Sequence, residues 1–252
     1  MRFDLSIPRS IPFGLLFIIL SFHSSLLSGA EPKDGTTPPT IHLIGDSTMA
    51  DKKRVDLPER GWGQLFPEFI IAPAKVDNRA LNGRSTKSFI NEKHWSKLID
   101  EIRPGDWLII QFGHNDQKLD NPKVGTEADG EYRDNLLRFI REARAKSAHP
   151  ILATSVVRRR WDEQGKFYDT LGDYPEVTRK VAKEQKVPLL DLHTLTMQME
   201  REAGEEGSKR FHFSGDDTHY SETGARATAA LAAAEIHRLK PGLEAWVIPP
   251  SK

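Results

Sequence analysis

Apolar residues gather along this chain in short runs, separated by longer stretches of helical period. The runs are "IHLI" (41–44), "KVDNRA" (75–80), "DWLIIQFG" (106–113), "PILATSVV" (150–157) and "VPLLDLH" (187–193). Their lengths and their Val, Ile and Leu content predict strands. Between them, "GWGQLFPEFI" (61–70), "STKSFINEKHWSKLIDEI" (85–102), "GEYRDNLLRFIREARAKS" (130–147), "YPEVTRKVAKEQK" (174–186) and "SETGARATAALAAAEIHRLK" (221–240) predict helices. The 130–147 stretch sets Leu136, Leu137 and Ile140 on one face and Arg and Glu on the other, the mark of a helix lying on a core. Pro67 limits the first helix, whereas Pro175 falls in a first turn, where its missing N–H costs nothing. Ser221 offers a cap to the last helix, and Gly224 in its first turn is unfavourable.

Strands alternating with helices imply βαβ units, hence an α/β protein with a parallel sheet of about five strands. The chain has no internal repeat and no low-complexity segment. Its longest irregular stretches, 114–129 and 158–172, each follow a strand directly. In open parallel sheets, ligands bind beyond the carboxyl ends of the strands, so chemistry is expected there.

The N-terminus breaks the pattern. Arg2 and Arg9 precede a 12-residue apolar stretch, Ile11 to Phe22, and Ser28 and Ala30 supply small residues before a cut after Ala30. That order is the layout of a secretory signal peptide. The stretch is short for a membrane span, and Pro12, Gly14 and His23 weaken that alternative, an uncleaved anchor. The expected organisation is a signal peptide (1–30), a Pro/Gly/Thr-rich linker (31–39) and one domain (40–252). The protein is then secreted or periplasmic, with no stable membrane association after cleavage.

Of the 252 residues, 38% are hydrophobic, enough for one sizeable core, and 36 Lys+Arg balance 36 Asp+Glu. That balance argues against a nucleic-acid partner. Cysteine is absent, which excludes disulfides, thiolate metal sites and a thiol nucleophile.

Four segments carry candidate chemistry: "GDST" (45–48), "NGRS" (82–85), "GHND" (113–116) and "GDDTHYSETG" (215–224). Each alone reads as a turn, because Gly, Asn, Asp and Ser favour turns. Together they meet the needs of acyl transfer. Ser47 offers a hydroxyl and His219 a base. Asp216, three residues before His219, can hold the imidazole in one tautomer. Backbone N–H groups of Ser47 and Gly83, with the Asn115 amide, can hold an oxyanion. Asn115 has a structural alternative as a cap on the 114–129 loop. Asp46 reads as structural, bonding backbone near the serine turn. "DLH" (191–193) reads as a strand end rather than a metal site. "RRRW" (158–161) is either a solvated loop or a sugar-chain contact, since Arg binds carboxylates in bidentate fashion.

In order and content these blocks resemble the SGNH (GDSL-type) hydrolase superfamily, with Ser47, Gly83, Asn115 and His219 at its four signature positions. Its Asp-x-x-His pair falls on Asp216; Asp217 fits that spacing less well. "NRALNGRSTKSF" and "QFGHNDQK" are similar to the rhamnogalacturonan acetylesterases of carbohydrate esterase family 12. The resemblance implies a flavodoxin-like, three-layer α/β/α fold with a doubly wound parallel sheet. It also implies no metal or cofactor, and removal of O-acetyl groups from a pectic polysaccharide. Candidate substrate contacts are Trp62, Arg84, His114, Arg158 and Trp161; Trp62 can equally pack in the core. A lipase or thioesterase of the same superfamily, and a non-catalytic carbohydrate-binding relative, are the rival functions. Oligomeric state is left open.

Overall fold

The computed structural model describes residues 37–54 and 57–250. The signal peptide, and the linker up to residue 36, lie outside the described residues. Five parallel strands, β1 (Thr40–Gly45), β3 (Lys75–Asn78), β4 (Trp107–Gln111), β5 (His149–Ala153) and β6 (Leu189–Leu190), form one sheet in the order β3-β1-β4-β5-β6. This is the doubly wound arrangement. From β1 the chain moves to one edge at β3, then crosses back to β4, so the switch point lies between β1 and β4. Two further strands, β2 (Glu59–Arg60) and β7 (Tyr220–Ser221), pair antiparallel outside the main sheet.

Strand alternation divides the core in two. Ile41, Leu43, Ile109 and Ile151 face a cluster containing Trp62 and Leu65 of α1 (Trp62–Leu65) and Ala225, Ala229, Ala232 and Ile236 of α7 (Glu222–Leu239). Ile44, Leu108, Ile110 and Leu152 face the opposite cluster. That cluster contains Trp95 and Leu98 of α3 (His94–Glu101), Phe139 and Ile140 of α4 (Arg133–Ala145), and Val181 of α5 (Tyr174–Gln185). Central strands apolar on both faces are what a sheet covered by helices on both sides requires. The expected three-layer α/β/α architecture is therefore observed.

Several elements differ from expectation. The strands stop short: the 106–113 run pairs only through Gln111, and the 150–157 run only through Ala153. Past those points the chain loses its ladder partner and leaves the sheet carrying site residues. The 85–102 helix is two: α2 (Thr86–Asn91), with a Ser85/Ser88 capping box, and α3, separated by Lys93 in the left-handed region at φ 65°. Helix 61–70 shrinks to α1 followed by a 3-10 turn, because Pro67 has no N–H for the ladder. "DLH" is not a strand end: Asp191 caps α6 (Leu192–Ser208), its side chain accepting from the Thr194 N–H. That helix, absent from the sequence reading, is kinked at Gly204 (φ 70°), and from there to Ser208 it carries no apolar side chain.

Gly224, unfavourable by propensity, has a packing reason. A Cβ there would lie 1.9 Å from the Phe211 carbonyl oxygen. Gly224→Ala should therefore destabilise the protein by about 2–3 kcal/mol through overpacking, read as a lower urea midpoint with an unchanged m-value.

The 114–129 loop folds around a buried acid. Asp116 Oδ1 accepts from Thr86 N (3.0 Å), Thr86 Oγ1 (2.6 Å) and Thr126 Oγ1 (2.9 Å). Burial pushes its carboxyl from 3.8 up to about 7, against the lowering effect of the threonine donors. A folded value above the unfolded one means that the protonated acid favours folding. That contribution is complete below the unfolded value and is lost as pH rises through about 7. Asp116→Asn keeps the acceptor and cannot ionise. It should flatten the fall in melting temperature expected of the parent as pH rises from roughly 4 through 7, measured by calorimetry across that range.

Candidate active site

The site lies at the switch point between β1 and β4, where the first three segments leave the sheet and the turn before β7 meets them. After β1, the Met49 and Ala50 N–H groups both donate to the Asp46 carbonyl, at 3.2 and 3.1 Å, closing a single turn around Ser47. Gly45 is needed at its base, because a Cβ there would lie 2.6 Å from the Gln111 carbonyl oxygen.

A hydrogen-bonded chain fixes that turn from beneath. The Trp62 indole N–H donates to Gln111 Oε1 (2.6 Å), Gln111 Nε2 donates to Thr48 Oγ1 (2.8 Å), and Thr48 Oγ1 donates to Asp46 Oδ1 (2.8 Å). The same carboxylate oxygen accepts the Thr48 N–H at 2.9 Å, and Asp46 Oδ2 meets His114 Nδ1 at 3.2 Å. Burial raises the Asp46 carboxyl, but His114 and Thr48 more than offset it, leaving it below the usual range.

Ser47, His219 and Asp216 lie in line. His219 Nε2 is 2.8 Å from Ser47 Oγ, and His219 Nδ1 is 2.6 Å from Asp216 Oδ2. Asp216 Oδ1 accepts the N–H groups of Thr218 (2.6 Å) and His219 (2.9 Å), so one tight turn brings acid and imidazole together. Partial burial raises the Asp216 carboxyl, but the His219 ring and these two N–H groups outweigh it, and the group stays below the ordinary carboxylate range. Asp217 turns away: its Oδ2 accepts from Arg160 Nη1 at 2.7 Å. The two adjacent acids are thus separated, one on the imidazole and one on the arginine.

Gly83 sits at φ 75°, and nothing lies within 4 Å of where its Cβ would be. Among the described residues, the N–H groups of Ser47 and Gly83 have no protein acceptor. Asn115 is buried, donates through Nδ2 to the Arg84 carbonyl (3.0 Å), and accepts from Lys118 Nζ (2.7 Å). Its own carbonyl also accepts the Lys118 N–H (3.1 Å), so it caps the loop start and ties it to the Gly83 segment. The site therefore presents a hydroxyl beside an oriented imidazole, with unoccupied N–H donors close in the fold, which is what nucleophilic acyl transfer requires.

Of the expected saccharide contacts, Trp62 is corrected: its side chain is 0% exposed and its N–H is consumed by Gln111. His114 is corrected likewise. It is 3% exposed, and its Nε2 is sealed from solvent, so it braces Asp46 rather than facing a sugar chain. Arg158 points its guanidinium at Gln117 Oε1 (2.7 Å) and Thr170 Oγ1 (3.2 Å), joining the two long loops. Arg84 is partly exposed and paired with Glu92. Trp161 is partly exposed and packs edge-on against Phe167, with ring centroids 5.3 Å apart. Among the described residues, no group of three or more His, Asp or Glu could hold a metal ion.

The sequence reading missed Lys52, Gln111 and Lys118, each of which bonds to a site segment. A single polar side chain has no periodic signature. The nearest sequence signals were a Gln inside an apolar strand and a Lys soon after the serine turn.

Comparison with known proteins identifies the family. The model of the GDSL-like Lipase/Acylhydrolase family matches residues 43–227. The rhamnogalacturonan acetylesterase RhgT of Bacillus subtilis (strain 168) is 40% identical over 215 residues, covering 80% of this chain and 91% of that protein. A rhamnogalacturonan acetylesterase of Emericella nidulans is 25% identical over 212 residues, covering 75% of this chain and 81% of its own. The crystal structure of Bacillus subtilis YxiM superposes with a TM-score of 0.74 at 29% identity; the match covers 82% of this chain but only 58% of that longer one. The family match spans most of the chain and includes all four site segments, and the chain belongs to the GDSL-like lipase/acylhydrolase family of carboxylic ester hydrolases.

Proposed function

We propose that the protein is an exported serine acetylesterase that removes O-acetyl groups from pectic rhamnogalacturonan. The observation that carries the chemistry is the unbroken Ser47–His219–Asp216 chain, with contacts of 2.8 and 2.6 Å. The substrate class rests on the similarity to RhgT at 40% identity. A second relative, the probable rhamnogalacturonan acetylesterase YesY, supports it at 36%. Export rests on the N-terminal charge–apolar–small-residue pattern ending at Ala30.

In this reading His219 Nε2 takes the Ser47 proton as Oγ attacks the acetyl carbonyl carbon. The negative charge that develops on the carbonyl oxygen is held by the N–H groups of Ser47 and Gly83 and by the Asn115 amide. Collapse of the tetrahedral intermediate breaks the bond to the sugar oxygen, and His219 returns the proton to that oxygen. Water then attacks the acetyl-serine, His219 takes its proton, and acetate leaves as Ser47 is reprotonated. Asp216 stays ionised throughout. It holds the imidazole in the tautomer with Nδ1 protonated and stabilises the cation that forms.

The polar mouth favours this reading over a lipase. Arg84, Arg160 and Asp217 stand near the site, whereas long acyl chains need an apolar groove.

Acetate release from acetylated rhamnogalacturonan, compared with acetylated xylan and an octanoyl ester, tests the assignment. The pectic substrate should be preferred, and preference for octanoyl would overturn it. Ser47→Ala should lower kcat about 10³-fold or more, and Asp216→Asn about 10²- to 10⁴-fold with little change in KM. Edman sequencing of exported protein should begin at Glu31.

A further inference from the structure

A buried lysine stands where three segments of the site meet. Lys52 lies five residues after Ser47, and its side chain is only 5% exposed. Its ammonium meets three oxygens: the Ser47 carbonyl at 2.6 Å, Asn82 Oδ1 at 2.9 Å and Glu59 Oε1 at 2.9 Å. An ammonium has three N–H donors, and here each has its own acceptor. The Lys52 backbone N–H donates to Gln64 Oε1 at 3.0 Å, which anchors the residue at its other end.

The three acceptors come from three different places. Ser47 is the nucleophile turn. Asn82 precedes Gly83 directly. Glu59 belongs to β2, which pairs with β7 through Glu59↔Ser221 and Arg60↔Tyr220, and β7 begins one residue after His219. One side chain therefore reaches the serine, the Gly83 loop and β2, whose partner strand β7 directly follows the histidine.

A buried charge costs several kcal/mol unless it is paired and fully hydrogen-bonded. A methionine would fill this space more cheaply if packing were the only demand. The Gly83 loop shows what the cost supports. Gly83 is exposed, sits at positive φ, and has nothing within 4 Å of its Cβ position, so packing does not restrain its N–H. The turn is closed by the Arg84 N–H on the Leu81 carbonyl (3.3 Å) and by Arg84 Nη1 on the Asn82 carbonyl (2.9 Å), and it is tied to the rest of the site by Lys52 Nζ on Asn82 Oδ1 and by Asn115 Nδ2 on the Arg84 carbonyl. Oxyanion donors act only if they are fixed before reaction.

We propose that Lys52 is a positioning residue for the ester hydrolysis. It sets the spacing between the Ser47 and Gly83 N–H donors by holding the Ser47 carbonyl and the Asn82 side chain on one ammonium. Glu59 neutralises that charge and links the assembly to β7, the strand that follows His219. This proposal rests on the esterase reading above.

Two variants test it. Lys52→Met removes the ammonium and keeps the stem. Asn82→Ala lies at an exposed loop position and removes one tether without opening the core. kcat and KM for 4-nitrophenyl acetate are measured with melting temperature and affinity for a phenylboronic acid, which forms a tetrahedral adduct on a reactive serine. Both variants should lose about 10-fold or more in kcat, with KM within about twofold, and boronate affinity should weaken in parallel with kcat. Asn82→Ala should keep the parent's melting temperature. Parental kcat and boronate affinity in Asn82→Ala would overturn the proposal, as would a kcat loss with boronate affinity intact. A parent no faster than Ser47→Ala would sink the esterase reading and this proposal together. An active parent with an equally active Asn82→Ala would sink this proposal alone.

Discussion

The buried Asp46 carboxylate is the constraint on which the site depends. It is completely shielded from water, yet it is a charged group beside the serine turn. A carboxylate tolerates such a place only if its oxygens are hydrogen-bonded. Here the donors are the Thr48 N–H and hydroxyl, with His114 opposite. Those bonds leave the turn few alternatives, and it holds the Ser47 hydroxyl against the His219 imidazole. The chain behind it, from Trp62 through Gln111 to Thr48, roots the turn in the sheet. A polar network that is satisfied in this way rigidifies; left half-satisfied, it would be a liability.

Buried polar side chains tie the site loops together. Asp116 organises the 114–129 loop. Lys52 joins the serine turn to Asn82, and Arg158 joins the two long loops through Gln117 and Thr170. The two apolar clusters lie on the two faces of the sheet, where alternating strand residues meet the helices. The division is physical. Helix-on-sheet packing supplies stability with non-directional contacts, whereas loops that must hold reacting groups to within tenths of an ångström need directional bonds.

Much of this was legible in the sequence, for identifiable reasons. The central strands are continuous apolar runs, and a sheet buried on both faces imposes that pattern. The site segments were legible as Gly, Asn, Asp and Ser clusters at strand exits. Asp216 was preferred over Asp217 by its three-residue spacing from His219, and the structure sets Asp216 on the imidazole and Asp217 on Arg160. Helix α6 went unread, because Gly204 interrupts it and its last five residues, Gly204 to Ser208, are glycine or polar. Trp62 stayed open in the sequence because an indole serves as a sugar platform or as a core plug, and its neighbours decide for the core.

By itself the sequence determined what repeats along the chain or depends on near neighbours. That covers the α/β alternation, the apolar strands, the caps and turns, and the residue types present at each strand exit. The tertiary structure decided what depends on partners far away in the chain. It put Ser47 against a histidine 172 residues distant, assigned Trp62 to Gln111, and gathered Ser47, Asn82 and Glu59 onto one ammonium. Periodicity and turn chemistry are local, and a sequence displays them directly. Which polar groups meet depends on how whole layers pack, and that information exists only once the chain has folded.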